Sequence, residues 1–118
     1  MKIHNREILL YYNPSSSSDK KTMAYARSIS THIKAFSYED AFISDTNWVR
    51  IISLLNKHPK ELLNKAHPDY QNNIKGTEAG TGSWVKLLKN NPHLMRAPIA
   101  VKGDKAVLCE SPTDIYKL

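Results

Sequence analysis

The chain has 118 residues with 41% apolar, 24% charged and 8% aromatic side chains, the proportions of one globular domain spanning residues 1–118 rather than of a disordered or fibrous chain. Its single cysteine, Cys109, excludes an internal disulfide, a Cys-x-x-Cys redox pair and a thiolate-rich zinc centre. The formal charge of +6 is uneven, with nine Lys/Arg against four Asp/Glu over residues 57–105; it leans toward an anionic partner, although a solvated lysine face serving solubility is the commoner explanation of such a charge.

Residues 6–12 (Arg-Glu-Ile-Leu-Leu-Tyr-Tyr) read as a short buried strand stopped by Asn13-Pro14. After the run Ser15-Ser16-Ser17-Ser18, Asp19 is the expected N-cap of a helix of about twelve residues that carries Met23, Ala24, Ala26, Arg27 and Ile29 up to Ser30-Thr31. Residues 33–38 alternate apolar and polar side chains as a second strand, and their distance from the first calls for a parallel βαβ unit.

Asp45 or Thr46 is the expected cap of a periodic helix whose stripe is Trp48, Ile51, Ile52, Leu54 and Leu55, up to Lys57. Pro59 suits the first turn of a short helix with Leu62 and Leu63, which Pro68 is expected to end before a surface loop over Asp69 to Gly82. Ser83 is the expected cap of an amphipathic helix through Trp84 and Lys89, stopped at Asn90-Asn91-Pro92. Residues 99–101 and 106–108 flank Gly103-Asp104 as a hairpin, and Ser111-Pro112 opens a terminal helix over Thr113 to Leu118. The order predicts an α/β fold: a small four-stranded mixed sheet with helices on both faces, the thioredoxin layout.

Two segments carry a resemblance: Tyr12-Asn13-Pro14-Ser15-Ser16-Ser17-Ser18 after the first strand, and Arg96-Ala97-Pro98-Ile99-Ala100-Val101 before the hairpin. They resemble the Asn-Pro-x-Cys loop and the late Arg-Pro-Ile element of the arsenate reductase and Spx regulator family, and Leu108-Cys109 resembles that family's Leu-Cys step. The likeness extends over nearly the whole chain and implies a thioredoxin-like fold and, in the reductase branch, thiol-dependent reduction of the glutathione/glutaredoxin type. It places the family's nucleophilic cysteine on Ser16 and the arginine after the loop near Lys20. Two further oxyanion-holding arginines fall on Asn64 and Ala97, with Arg96 one position early. It also implies a cis bond before Pro98, opposite the loop.

A serine hydroxyl without a hydrogen-bonded base is a poor nucleophile and cannot enter thiol–disulfide exchange, and no such base is apparent beside Ser16 in the sequence. The chain is therefore expected to be inactive as a reductase: a pseudoenzyme acting as a non-redox binding or regulatory module. Its resemblance to the Spx branch then implies that its basic face, Lys57, Lys60, Lys65, Lys75, Lys86 and Lys89, docks on an acidic protein such as an RNA polymerase subunit. The alternative is an oxyanion-binding or thiol-dependent enzyme in which Ser15, Ser16, Ser17, Ser18, Lys20 and Arg96 hold an oxyanion or the carboxylate of glutathione, the thiol coming from the ligand. Simple capping of the helix explains the serines and Asp19 without any ligand.

The remaining features point to structure. Cys109 reads as a small core hydrophobe, with Glu110 raising its pKa. Trp48 and Trp84 read as core residues, and the five histidines show no metal-ligand spacing. No cofactor is required, direct nucleic-acid binding is not expected, and a monomer is. No apolar run reaches the length of a membrane span, and residues 1–5 lack a signal peptide's apolar core, so a cytoplasmic protein is expected.

Overall fold

The computed structural model describes residues 7–40, 43–73 and 81–118. Four strands, β1 (Ile8–Tyr12), β2 (Ile33–Ser37), β3 (Ile99–Lys102) and β4 (Lys105–Leu108), form one sheet in the order β2-β1-β3-β4. β1 is parallel to β2, with Leu10 opposite Ala35, and antiparallel to β3, with Leu10 opposite Ala100. β3 and β4 form the expected hairpin; Gly103, with φ +57°, takes the first central position of its turn, where a type II′ geometry needs a glycine.

The parallel pair is joined by α1 (Ser17–Ile29), which packs on one face of the sheet with the terminal 3₁₀ turn Pro112–Lys117. Ile8, Leu10, Ala26, Ala100, Cys109 and Ile115 form the core of that layer. The opposite face is covered by α2 (Asp45–Leu55), α3 (Pro68–Asn73), α4 (Thr81–Asn90) and the 3₁₀ turns Pro59–Leu62 and Pro92–Leu94. Trp48, Ile51, Leu62, Trp84, Leu88 and Leu94 pack there on Ile99, Val101 and Leu108. The α/β architecture, with a four-stranded mixed sheet between helices, is thus the expected one, and both tryptophans are core residues, 3% and 4% exposed.

Several boundaries differ from expectation, each for a local reason. Ser16, not Asp19, caps α1: its Oγ accepts from the Asp19 amide at 3.2 Å, leaving the Asp19 carboxylate free to turn inward. Ser44, not Asp45 or Thr46, caps α2 by accepting from the Asn47 amide, while Asp45 in the first turn pairs with Lys89 Nζ at 2.7 Å. α2 ends on Asn56, whose φ of 54° is the left-handed cap that asparagine tolerates.

Pro68 opens a helix where an end was expected, because a first-turn proline forfeits only an amide that has no helical partner. The predicted loop from Asp69 is helical to Asn73, with Tyr70 buried; its residues 74–80, including Lys75, lie outside the described residues. α4 begins at Thr81, so position 83 lies inside it rather than ahead of it. The terminal segment is a 3₁₀ turn held by the Ser111 amide donating to Asp114, rather than an α-helix. On α1 the buried positions are Asp19, Thr22 and Ala26, whereas Ile29 is 46% exposed.

Candidate functional site

The loop from β1 to α1 is tied up by its own side chains. The Ser15 amide donates to Asn13 Oδ1 at 2.9 Å, and the Ser16 amide donates to the Asn13 carbonyl at 3.1 Å. The Asn13 amide donates to Asp19 Oδ2 at 2.8 Å, and the Ser16 hydroxyl lies near enough to that carboxylate to favour its charged form. Asp19 is 6% exposed, and burial pushes its pKa up against the lowering effect of those two donors. Ser16 therefore does have a carboxylate partner, three residues on, which the pattern of the sequence does not reveal. A carboxylate is far too weak a base to draw a proton from an alcohol in the ground state, so the pairing orders the loop without making Ser16 a strong nucleophile.

This loop forms one wall of a cleft of about 370 Å³. Ser15, Ser16 and Asp19 face Asn64, His67, His93 and Arg96 across it, with Tyr38 and Glu39 at the end of β2 between them. The far wall is assembled by backbone pairing. Leu63 bridges Met95, the Asn64 amide donates to the Leu94 carbonyl at 2.6 Å, and the Arg96 amide donates to the Leu62 carbonyl at 3.0 Å.

That pairing also unites histidines that are distant in the chain. The rings of His67 and His93 lie edge-to-face with centroids 5.4 Å apart, and His93 Nε2 is 2.8 Å from Asp69 Oδ2. His67 Nδ1 accepts from the Asp69 amide at 3.1 Å, which leaves its proton on Nε2. Sequence reasoning misses the cleft histidines, and the Asp69 that pairs with His93, as a group, because no spacing along the chain encodes a bridge between residues 63 and 95. Among the described residues, no group of three or more His, Cys, Asp or Glu side chains is arranged to hold a metal.

The predicted site residues divide between two places. Ser15, Ser16, Asn64 and Arg96 line the cleft. Ser17, Ser18 and Lys20 open instead onto a shallow groove shared with Lys21 and Pro112. Ala97 is buried and lines neither. Arg96 is already engaged: its Nε donates to the Glu61 carbonyl and its Nη2 to Glu110 Oε1, both at 2.5 Å, and that guanidinium holds Glu110 below the usual carboxylate range.

The bond before Pro98 is trans, since no cis peptide occurs among the described residues. This corrects the expected cis-proline. The Ala97 carbonyl that precedes it accepts the buried Tyr38 hydroxyl at 2.8 Å, and the Pro98 carbonyl accepts the Cys109 amide at 2.8 Å, so the ordinary isomer satisfies both acceptors.

Cys109 sits under α1, 2% exposed, and burial is the main reason its thiol is pushed up to about 12. The neighbouring charges that add to this are Asp114 and Asp19, not Glu110. A thiol so placed has almost no thiolate at neutral pH.

The ArsC family model matches residues 11–118. The chain belongs to the ArsC family. Its fold is accordingly thioredoxin-like, and solved structures agree. A candidate arsenate reductase from Yersinia pestis superposes with TM-score 0.84 at 18% identity, covering 94% of this chain and 99% of that one. An arsenate reductase from Vibrio cholerae gives 0.81 at 17% identity, covering 94% and 96%. An ArsC family related protein from Bacteroides fragilis gives 0.72 at 16% identity, covering 86% and 90%. A search of curated proteins found no match. At these identities the structural likeness speaks for the fold.

Proposed function

We propose that this ArsC-family chain is a non-redox member, a binding or regulatory module that keeps the arsenate reductase scaffold without its thiol chemistry. The observation that carries this reading is the position of its only thiol. Cys109 lies in the core of the α1 layer with its proton held to about 12, while the loop at the head of α1 offers hydroxyls alone. A hydroxyl cannot form the sulfur–sulfur bond that reductant turnover in this family uses.

The partner that suits this reading is an acidic protein surface, an RNA polymerase subunit being one example, meeting Lys57, Lys60, Lys65, Lys86 and Lys89 in the cell's cytoplasm. The oxyanion or glutathione-dependent alternative receives less support, because an incoming carboxylate or oxyanion would meet the buried Asp19 and an Arg96 already paired with Glu110.

The deciding experiment is a glutathione- and glutaredoxin-coupled arsenate reduction assay on the native protein and on Ser16→Ala. Neither is expected to turn over above the protein-free control. Native turnover that Ser16→Ala abolishes refutes the reading. A pull-down with a purified acidic partner at low and high salt then tests the docking face, whose retention is expected to fall as salt screens it.

A further inference from the structure

Tyr38, Pro92 and Met95 line the polar cleft and also a second hollow, a recess of about 100 Å³ between the start of α2 and the end of α4. Ile43, Trp48 and Leu88 complete its apolar lining, and apart from Pro92 and Lys89 the residues around it are each at most 6% exposed. Tyr38 presents only its ring there, because its hydroxyl is given to the Ala97 carbonyl. Lys89, the charged member of the lining, is held by Asp45 Oδ1 at 2.7 Å. Protein interiors pack densely and leave few voids larger than a water molecule, so an unfilled apolar volume adjoining a cleft stands out.

The polar groups left over in the two hollows are donors. A buried indole N–H ordinarily finds an acceptor, yet that of Trp48, on a residue 3% exposed, has none among the described residues. No side-chain nitrogen or oxygen fully sealed from solvent lacks a partner, so this N–H meets open space, and the open space that Trp48 lines is the recess. In the adjoining cleft His67 keeps a proton on Nε2 that no acceptor among the described residues takes. Asn64 accepts from the Ala66 amide through Oδ1 at 3.1 Å and leaves its Nδ2 donor unused.

We propose that the recess and the cleft together bind a small uncharged acyl amide, its branched aliphatic group in the recess and its carbonyl oxygens accepting from Trp48 Nε1 and from the cleft donors. Size and charge set that class. An apolar cavity of about 150 Å³ holds a benzene ring, so the recess suits a branched group of about four carbons, and the cleft of about 370 Å³ has the volume of an ordinary ligand site. An anionic head would meet Asp19 and Glu39, with Arg96 already given to Glu110. An ammonium head brings only donors to a site that lacks acceptors' partners of its own.

The test titrates the isotopically labelled full chain with N-acetyl-leucinamide, followed by the two indole N–H resonances and the backbone amides. The Trp48 indole signal is expected to shift saturably with a dissociation constant of about 1–10 mM, the range of a ligand this small at ordinary efficiency, while the Trp84 indole stays in place. N-acetyl-alaninamide, which keeps the head and loses the branched group, is expected to bind at least about tenfold more weakly. N-acetyl-leucine, which carries a carboxylate, is also expected to bind more weakly. Trp48→Phe, checked for native circular dichroism, keeps the ring and loses the N–H, and should weaken N-acetyl-leucinamide by about three- to tenfold. The proposal is overturned if the native Trp48 indole does not respond, if the alanine compound or the carboxylate binds as tightly, or if folded Trp48→Phe binds unchanged. A leucine-containing peptide capped at both ends that binds more than about tenfold tighter than N-acetyl-leucinamide would make the occupant a protein segment and overturn the small-molecule assignment.

Discussion

Tyr38 joins the end of β2 to the segment before β3, and its replacement by phenylalanine isolates one bond. The ring is 5% exposed within the larger core layer, and its hydroxyl donates to the Ala97 carbonyl at 2.8 Å, across 59 positions of sequence. Phenylalanine preserves the ring and its stacking on Tyr11, whose centroid lies 6.5 Å away. What is lost is a net hydrogen bond of about 1 kcal/mol, plus part of the roughly 1–3 kcal/mol cost of leaving a buried carbonyl without a donor. A destabilisation of about 1.5–2 kcal/mol is therefore expected, which in a domain of this size lowers Tm by about 5–10 °C. Urea unfolding followed by circular dichroism should show the midpoint falling with an unchanged slope, since the same surface is exposed on unfolding. A loss below about 0.5 kcal/mol would show that water reaches this carbonyl, and would refute the claim that the Tyr38 hydroxyl stabilises the junction between β2 and the segment before β3.

Cys109 should resist a thiol reagent at pH 8 in the folded protein and react fully once urea unfolds it; rapid labelling of the native state would contradict its burial and its displaced pKa. Trp48→Ala, which empties a site 3% exposed beside Ile51 and Leu88, should cost about 3–5 kcal/mol by chemical denaturation. The folded state holds the Asp19 proton more tightly than the unfolded chain does. Its contribution is therefore complete below the ordinary aspartate range near about pH 4 and is lost as pH rises through the raised titration. Stability–pH curves of the native protein and Asp19→Asn should diverge in that direction; parallel curves would remove the claim. Glu110 and Asp114, held low by Arg96 and by the Ser111 amide, act with the opposite sign and lose their contribution as pH falls. Arg96→Ala should cost only about 0.5–1 kcal/mol, because its pair with Glu110 is exposed to solvent, and its effect should shrink in salt.

Elements whose pattern is local are legible in the sequence alone. Alternation in residues 33–38, the Trp48 stripe, Pro59 and the Gly103-Asp104 turn each act within a few residues, and each lies where its pattern points. The sequence places the caps of α1 and α2 one to three residues late, because Ser16, Ser44 and their acidic successors are all good caps and only tertiary competition decides among them. Asp19 is drawn away by Asn13, and Asp45 by Lys89.

The site is legible only in its first wall. Ser15 and Ser16 follow from the strand–turn–helix pattern, but the grouping of His67, His93 and Asn64 depends on a two-residue backbone bridge that leaves no periodic trace. Sequence proximity assigns Lys20 to the same cleft and is wrong there, because one turn of helix points successive side chains to different sides. The cis form of the Pro98 bond is implied only by the likeness to the family, whereas its carbonyl neighbours are satisfied by the trans form.

The strand order has a bearing on how the chain matures during synthesis. β1 lies at the centre of the sheet, yet only β2 is available to it early; its other neighbour, β3, begins at Ile99, and Ile115, which seals the α1 layer, comes later still. A nascent chain halted before β3 would carry Leu9 and Leu10 on a strand with one open edge and an uncovered apolar face, the state in which strands pair with the wrong neighbour. Completion of the sheet must then wait for about the last sixth of the polypeptide to emerge, and the N-terminal βαβ unit, self-contained as its sequence looks, leaves β1 without its second neighbour until then.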